Sequence, residues 1–247
     1  MKHNIERFSD VISRYNFQKL NNGIGTLGEK ALHAIIKAYY DDKKDNQEVD
    51  VCGFVADIKH DDKIIEIQTS SFDRLNKKLE IYLDQYDVTV VYPIAFNKNI
   101  IWIDPQTGDV VAKNKSNKRG RAIEFLFEAS KIRKHLKRDK LHFELLLIDM
   151  DEYKLLDGYG PDRKRRCTKL YKMPTELREC VLINCADDVR KILPPEITDG
   201  RFTFAEFERI IKMKDRRARY SLNTLIEYGI VREVDRLGRA RIYEAVK

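Results

Sequence analysis

Apolar residues recur at helical spacing in three segments of the first 150 positions. These segments predict helices over residues 26–40, 71–85 and 121–137. Between and after them, alternating or continuous apolar runs predict strands within 48–70 and at 88–95, 99–104, 110–112 and 143–150. A helix, several strands, a helix and a further strand in this order predict an α/β fold.

Residues 199–247 show a different pattern, in which two helices precede a hairpin. Thr203 and Glu206 have the spacing of a capping box, which predicts a helix beginning at Thr203. Phe202 and Phe207 have the spacing of a hydrophobic staple at the same helix end.

The second of these helices is expected over about 215–228, with Gly229 as its C-cap glycine. Its inward positions, apolar and at i, i+4, i+7 and i+8, are Ala218, Leu222, Leu225 and Ile226. Its outward positions carry Arg216, Arg217, Arg219, Tyr220 and Asn223. The predicted hairpin after it has Arg236, Arg239 and Arg241 near its tip. Helix, helix and hairpin in this order resemble a winged helix-turn-helix.

Composition and turn-forming residues divide the chain into three parts. A hydrophobic content of 43% is enough for a packed core, and the formal net charge of +7 is unevenly spread. Acidic residues outnumber basic ones up to residue 110, whereas 111–172 is strongly basic. The turn-rich stretch after residue 150 and the Pro194-Pro195 pair, which we interpret as a linker, predict a domain over 1–150, a basic connecting segment over 151–198 and a domain over 199–247.

The composition argues against a membrane protein and against a disulfide-rich secreted protein. The sequence contains no apolar run of 18 residues, and its start lacks the apolar stretch of a signal peptide. The four cysteines have no CxxC spacing, which argues against a zinc site and for a reducing compartment. We therefore expect a cytoplasmic protein without a membrane partner.

Two acidic residues face each other in the hairpin predicted around Asp61-Asp62. A two-residue turn there pairs residues whose numbers sum to 123, which sets Asp57 opposite Glu66. Opposed like charges destabilise a hairpin, and a divalent cation such as Mg²⁺ would remove this repulsion. One alternative is an exposed polar face without a ligand. Another is a longer turn that makes Asp50 the metal-facing residue. The opposite face is predicted to be the buried one and carries Ala56, Ile58, Ile65 and Ile67.

Asp57, eight intervening residues and then Glu66-Ile67-Gln68 resemble the PD-(D/E)xK nuclease superfamily. The order of helices and strands over about 20–105 is also similar to that superfamily's core. The resemblance implies a restriction-endonuclease-like mixed sheet flanked by helices, followed here by the winged helix. Ala56 stands where the motif has proline, and Gln68 stands where it has lysine.

The resemblance implies a role for each motif residue. Asp57, Glu66 and the Ile67 carbonyl would hold Mg²⁺ (or Mn²⁺), and Glu29 would be an outer ligand or bind a second ion. Glu29 also completes a capping box with Thr26, so that a purely structural role stays open. Glutamine orients a water but carries no charge. Lys59 is expected on the face of Asp57 and is the first candidate for the missing cation, with Lys77 and Lys78 as weaker ones.

Basic clusters predict contacts with nucleic acid. One lies in a turn-rich stretch and consists of Arg163, Lys164, Arg165 and Arg166. The outward side chains of the last predicted helix, together with Arg239 and Arg241 of the wing, suit a major-groove contact. The alternatives are a solvated charge run for the first cluster and a dimerisation module for the second, which leaves a homodimer open.

The predicted function is that of a Mg²⁺-dependent DNA endonuclease whose winged helix binds duplex DNA. The alternative from another class is a catalytically inactive, nuclease-like DNA-binding or regulatory protein, since Gln68 replaces the motif lysine. Cleavage of RNA is a third alternative, because the phosphodiester chemistry is the same.

Overall fold

The computed structural model describes residues 5–22, 31–158 and 167–246 and has a mixed α/β architecture. The helices are α1 (Ile5–Asn22), α2 (Ala31–Tyr40), α3 (Leu75–Gln85), α4 (Phe125–Ala129), α5 (Ala186–Lys191), α6 (Pro195–Thr198), α7 (Phe204–Ile211) and α8 (Asp215–Glu227). The strands are β1 (Gln47–Val51), β2 (Phe54–His60), β3 (Lys63–Ile67), β4 (Asp87–Ile103), β5 (Val110–Lys115), β6 (Leu141–Leu155), β7 (Lys169–Ile183), β8 (Arg201–Thr203), β9 (Val231–Leu237) and β10 (Ala240–Ala245). The predicted α/β class is confirmed.

The larger sheet contains seven strands in the order β1-β2-β3-β4-β6-β7, with β5 paired to β4. It is a mixed sheet, because β2 and β3 are antiparallel whereas β3 and β4 are parallel. The parallel register begins at Lys63 opposite Asp87 and ends at Ile67 opposite Val91. A parallel pair needs a crossover connection, and α3 supplies it between β3 and β4.

Contacts between residues divide the chain into two compact units. The first unit comprises residues 1–49, 93–121 and 146–180, and the second comprises 50–92, 122–145 and 181–247. In the first unit, α1 packs on α2, where the rings of Phe8 and Tyr39 meet edge to face at 5.1 Å.

The first unit also explains why β4 continues through a polar stretch. The sequence predicted two separate strands here, whereas β4 runs unbroken from Asp87 to Ile103. The side-chain amide of Asn97 donates to Asp149 at 2.8 Å, and that of Asn99 donates to Asp151 at 2.7 Å. Because these polar groups find partners on β6, they do not interrupt the strand.

The second unit has an aromatic core beneath α3 and α4. Its fully buried rings are Phe72, Tyr82, Phe125 and Phe143. The rings of Phe125 and Phe143 meet at 4.7 Å, and the ring of Phe72 stacks on Phe143 at 6.2 Å. These contacts anchor the start of α3 and place the helix next to the strands of its own unit.

The helix predicted over 121–137 is wrong in its extent. Only Phe125–Ala129 is α-helical, and short 3₁₀ turns over Ala122–Glu124 and Ser130–His135 flank it. The Ser130 hydroxyl donates to the Phe127 carbonyl at 2.7 Å, a side-chain bond that competes with regular helix geometry.

The linker interpretation of Pro194-Pro195 is also wrong, because Pro195 begins α6 and Ile197 is fully buried.

The C-terminal elements agree closely with the predicted pattern. Thr203 caps α7 in a capping box with Glu206, and the rings of Phe202 and Phe207 stack at 5.7 Å. Helix α8 follows, and Gly229 adopts a positive φ of 70° directly after it. Strand β10 then pairs with both β9 and β8 in a second, three-stranded sheet.

The inward face of α8 differs from the prediction at one of four positions. Ala218, Leu222 and Leu225 are buried as expected, whereas Ile226 is 41% exposed. Thr224 is fully buried instead, because α8 also packs against α4 and the Thr224 hydroxyl donates to the Leu126 carbonyl at 2.8 Å. Helix α8 therefore buries a second face, against α4, in addition to the predicted inward face.

Within the described ranges, no helix is long and apolar enough to cross a membrane.

Candidate active site

The candidate active site lies on the β2–β3 hairpin of the second unit. The hairpin turns at Asp61-Asp62, where Asp61 has a positive φ of 37°. Lys59 pairs with Ile64 and His60 with Lys63, as the predicted two-residue turn requires. The next pair, Ile58 and Ile65, keeps the same register. Continued by one residue, this register sets Asp57 opposite Glu66.

Asp57 contacts the neighbouring strand through its own carboxylate. Its Oδ2 atom accepts a hydrogen bond of 2.7 Å from the Ile67 amide. This bond orients the carboxylate across the hairpin towards the strand that carries Glu66. Strand β3 thus positions Asp57 through the Ile67 amide, and it carries Glu66 itself.

Glu66 is almost completely buried, with 3% of its surface exposed. Ile64 on the same face of β3 is fully buried as well. Of the face predicted to be buried, Ala56, Ile58 and Ile67 are buried and Ile65 is half-buried. Both faces of the hairpin are therefore covered at Glu66, which rules out an exposed polar surface at this position.

Lys78 on α3 provides the cation that contacts Glu66. Its Nζ atom lies 3.0 Å from Oε1 and 2.8 Å from Oε2 of Glu66, and it also donates to the Val55 carbonyl at 2.7 Å. One ammonium group thus ties α3 to both strands of the hairpin. A buried carboxylate needs such a partner, because an uncompensated charge away from water is costly.

The pKa of Glu66 is raised to about 7, first by burial and then by the charge of Asp57. Lys78 lowers this pKa through its charge and hydrogen bonds but does not cancel the two larger effects. Near neutral pH the Glu66 carboxyl is therefore close to half protonation. Added positive charge beside Asp57 and Glu66 would favour the ionised form.

Two other residues predicted for this site make different contacts. The Lys59 ammonium donates to the Asp61 carbonyl at 3.2 Å and lies 5.5 Å from the centre of the Tyr86 ring. The side-chain amide of Gln68 donates to the Ser71 carbonyl. In this structure Lys78 rather than Lys59 lies on Glu66, and Gln68 stabilises the turn before α3.

Tyr82 is a residue near the site that the sequence interpretation missed. It lies one helical turn after Lys78 on α3 and is fully buried, and among the residues that the structure describes its hydroxyl has no hydrogen-bond partner. Burial raises the pKa of the Tyr82 hydroxyl, and the nearby charges of Glu66, Asp50 and Asp57 raise it further. The only signal in the sequence was that tyrosine, which carries a polar hydroxyl, occupies a position on the apolar face of α3.

Asp50, the alternative to Asp57, lies near the end of β1, just before the turn to β2. Its Oδ1 atom accepts a bond of 3.3 Å from the Gly53 amide, and Cys52 and Gly53 both have positive φ. Asp50 thus stabilises a tight turn, whereas Asp57 bonds directly to the backbone of β3. The hairpin register favours Asp57 as the partner of Glu66.

Several predicted site residues lie outside the described residues. They are Glu29, Arg163, Lys164, Arg165 and Arg166. In the part of the chain that the structure describes, no group of three or more His, Cys, Asp or Glu side chains is arranged to hold a metal ion. The candidate donor set there is the pair Asp57 and Glu66.

The outward residues of α8 are exposed as predicted but fall into two groups. Arg216, Arg219 and Asn223 are exposed, and the Arg219 guanidinium lies 4.5 Å from the centre of the Phe204 ring. Arg217 and Tyr220 instead contact α4. The Arg217 guanidinium lies 5.1 Å from the Phe127 ring, and the Tyr220 ring meets Phe127 edge to face at 6.3 Å.

The hairpin formed by β9 and β10 carries its arginines near the tip. Arg241 lies directly opposite Arg236, and both contact Glu233, at 3.0 Å and 3.3 Å. Arg239 lies in the turn next to Gly238, which has a positive φ of 60°. Glu233 thus reduces the repulsion between two of these arginines.

Comparisons with known proteins relate most of the chain to a family without assigning a function. An "Uncharacterized protein" of Treponema pallidum (strain Nichols) is 26% identical over 225 residues, which cover 89% of this chain and 86% of that protein. No solved structure matches the chain. Residues 30–184 match the family model described as "Domain of unknown function (DUF8091)". Because this match covers more than half of the chain, the protein belongs to the DUF8091 family.

Proposed function

We propose that this protein is a metal-dependent phosphodiesterase that cleaves DNA internally, with Mg²⁺ or Mn²⁺ as its cofactor. The observation that carries the proposal is that the Asp57 carboxylate accepts a hydrogen bond from the Ile67 amide, next to the buried Glu66. The β2–β3 register, continued by one residue, sets Asp57 opposite Glu66. Two carboxylates kept together in a poorly hydrated place repel each other. Lys78 offsets only part of this repulsion, and a divalent cation between the two carboxylates would stabilise the pair further.

The donor chemistry of this pair fits a hard divalent cation. Mg²⁺ takes oxygen ligands and is commonly held by one or two carboxylates together with waters and phosphate oxygens. Asp57 and Glu66 would hold it, with the Ile67 carbonyl and Glu29 added by the resemblance to PD-(D/E)xK nucleases. When bound, the cation would lower the pKa of a coordinated water and neutralise charge on a phosphate.

The order and direction of the elements support this resemblance. Helix α2, strands β1 to β3, helix α3 and strand β4 follow each other in the order of the nuclease core. The antiparallel β2–β3 pair followed by the parallel β3–β4 pair agrees with a restriction-endonuclease-like arrangement. We propose that fold for residues 1–150.

Lys78 is our candidate for the role of the motif lysine. Gln68 carries no charge, and its amide is engaged with the Ser71 carbonyl. The Lys78 ammonium contacts both oxygens of Glu66 and thus places a positive charge directly on one member of the pair. Placed there, it would stabilise negative charge that develops on the phosphate during hydrolysis. This contact favours Lys78 over Lys59 for the role.

The C-terminal elements supply the proposed DNA-binding surface. Helices α7 and α8 followed by the β9–β10 hairpin have the order of a winged helix-turn-helix, which we propose for residues 199–247. Arg216, Arg219 and Asn223 would reach phosphates or base edges from α8. Arg239 and Arg241 would contact the backbone from the wing. The proposed ligand is duplex DNA.

The decisive experiment compares four proteins on supercoiled plasmid with Mg²⁺, with Mn²⁺ and with a chelator. We expect wild type to cut only with a cation, and Asp57→Asn and Glu66→Gln to be inactive while retaining DNA affinity. Asp62→Asn, an exposed residue of the same hairpin turn, is the matched control and should cut normally. Equal cutting by wild type and Glu66→Gln would refute the assignment.

A second candidate function is DNA binding without catalysis. It is favoured by the replacement of the motif lysine with Gln68, whose amide is used in the turn before α3. A wild-type protein that binds duplex DNA but never cuts with either cation would establish this alternative.

A further inference from the structure

The hydroxyl group of Tyr82 is a buried donor to which the described residues offer no acceptor. The residue has no exposed surface, and in the described part of the second unit no atom accepts a hydrogen bond from its Oη. Buried hydroxyl groups in proteins nearly always find a partner, because an unsatisfied one is costly. Phenylalanine would fill the same space without this cost. The presence of the hydroxyl therefore indicates that a bound ligand accepts its hydrogen bond.

The surroundings of the hydroxyl identify the chemistry of that ligand. Tyr82 follows Lys78 by four residues on α3, which places both side chains on one face of the helix. Lys78 contacts Glu66, and the Tyr82 hydroxyl is close enough to feel the charges of Glu66, Asp50 and Asp57. The donor therefore lies on the face of α3 whose Lys78 meets Glu66, and no described carboxylate accepts its hydrogen bond.

We propose that Tyr82 donates its hydrogen bond to an oxygen atom held by the cation between Asp57 and Glu66. The inference rests on the proposed function, since it requires a divalent cation at this pair. Two oxygen sources share the chemistry, namely a water ligand of the cation and a phosphate oxygen of DNA. Tyr82 is thus a contact residue of the proposed site. Helix α3 contributes two side chains to this site, Lys78 and Tyr82.

The test compares wild type with Tyr82→Phe, which removes only the hydroxyl. The matched control is Tyr86→Phe, the same change one turn later at the end of α3, on a half-buried ring. Without a cation, Tyr82→Phe should unfold at the same temperature as wild type or a higher one, because an unsatisfied group is lost. This first measurement also establishes that the variant folds.

The second measurement is a calorimetric titration with Mn²⁺, first on the protein alone and then with a duplex oligonucleotide present. If the oxygen belongs to a water ligand, Tyr82→Phe should bind Mn²⁺ about tenfold more weakly without DNA, as expected for one hydrogen bond. If it belongs to a phosphate, the loss should appear only with DNA. Tyr86→Phe should match wild type in both titrations.

Equal Mn²⁺ affinity of wild type and Tyr82→Phe in both titrations would overturn the inference while leaving the proposed function standing. A wild-type protein that neither binds Mn²⁺ nor cuts DNA would overturn both. The two failures are therefore distinguishable in one set of samples.

Discussion

The Lys78 ammonium lies 2.8 Å from Oε2 of Glu66, and this contact joins helix α3 to the hairpin beneath it. Glu66 keeps only 3% of its surface exposed, so that its charge depends on the few groups around it. Asp57 raises the energy of the ionised carboxylate, and Lys78 lowers it.

Stability should fall as the pH rises from about 5 to about 7 when no cation is present. The pKa of Glu66 is raised from 4.5 to about 7 in the folded protein. Between these values the folded state binds more protons than the unfolded state, so that the free energy of unfolding decreases with pH. The change should be on the order of 3 kcal/mol and should be absent in Glu66→Gln. Urea unfolding at pH 5 and pH 8 measures it.

Added Mg²⁺ should recover much of this loss at pH 8, because a bound cation favours ionised Glu66. Glu196→Gln, which removes an exposed glutamate from α6, is the control and should keep the wild-type pH dependence. A pH profile of Glu66→Gln identical to that of wild type would contradict the assignment of the slope to Glu66.

Lys78→Ala should lower the rate of DNA cleavage by about 10²- to 10³-fold, the usual effect of removing one charge-stabilising group from an active site. Lys59→Ala should have a small effect, because Lys59 contacts the Asp61 carbonyl and the Tyr86 ring instead of Glu66. The adjacent and exposed Lys77 offers a matched control in Lys77→Ala. Single-turnover rates would decide, and a slow Lys59→Ala with a normal Lys78→Ala would reverse the assignment.

The salt dependence of DNA binding should depend on Arg216 and Arg219 more than on Arg217. All three are exposed on α8, but the Arg217 guanidinium also lies over the Phe127 ring and 3.8 Å from Glu124 of the neighbouring segment. Each lost phosphate contact flattens the logarithmic salt slope by about 0.9. Replacing Arg216 and Arg219 together with alanine should thus flatten it by about 2.

Fluorescence titrations of a labelled duplex across a range of salt concentrations would give these slopes. Arg217→Ala should leave the slope nearly unchanged and lower the unfolding temperature instead. Point variants are preferable to truncation at residue 194, because removal of α8 would expose the surface of α4 that it covers. Unchanged slopes in the double variant would remove α8 from the DNA-binding surface.

Thr224→Val should lower the free energy of unfolding by about 1 kcal/mol, the usual contribution of one buried hydrogen bond. The Thr224 hydroxyl donates to the Leu126 carbonyl at 2.8 Å and joins α8 to α4. For a protein of this length the melting temperature should fall by about 2–4 °C. Asn223→Ala changes the neighbouring exposed position of the same helix and should change stability by less. Calorimetry of both variants tests whether the contact between α8 and α4 is stabilising.

Local patterns in the sequence were sufficient for the hairpin and for the helix starts. The two-residue turn at Asp61-Asp62 determined the β2–β3 register, because side chains alternate and a turn of known length leaves one pairing. The capping box of Thr203 and Glu206 determined where α7 begins, because its hydrogen bonds join residues three positions apart. Such features depend only on neighbours along the chain.

Features that depend on distant residues were decided by the tertiary structure alone. Lys59 and Lys78 are equivalent as charges, and only the way α3 packs on the hairpin puts Lys78 on Glu66. Likewise, the second buried face of α8 exists because α4 covers it, which makes Thr224 a core residue and leaves Ile226 exposed. A periodic pattern specifies one apolar face of a helix. It does not specify which elements of the fold pack against the remaining faces of that helix.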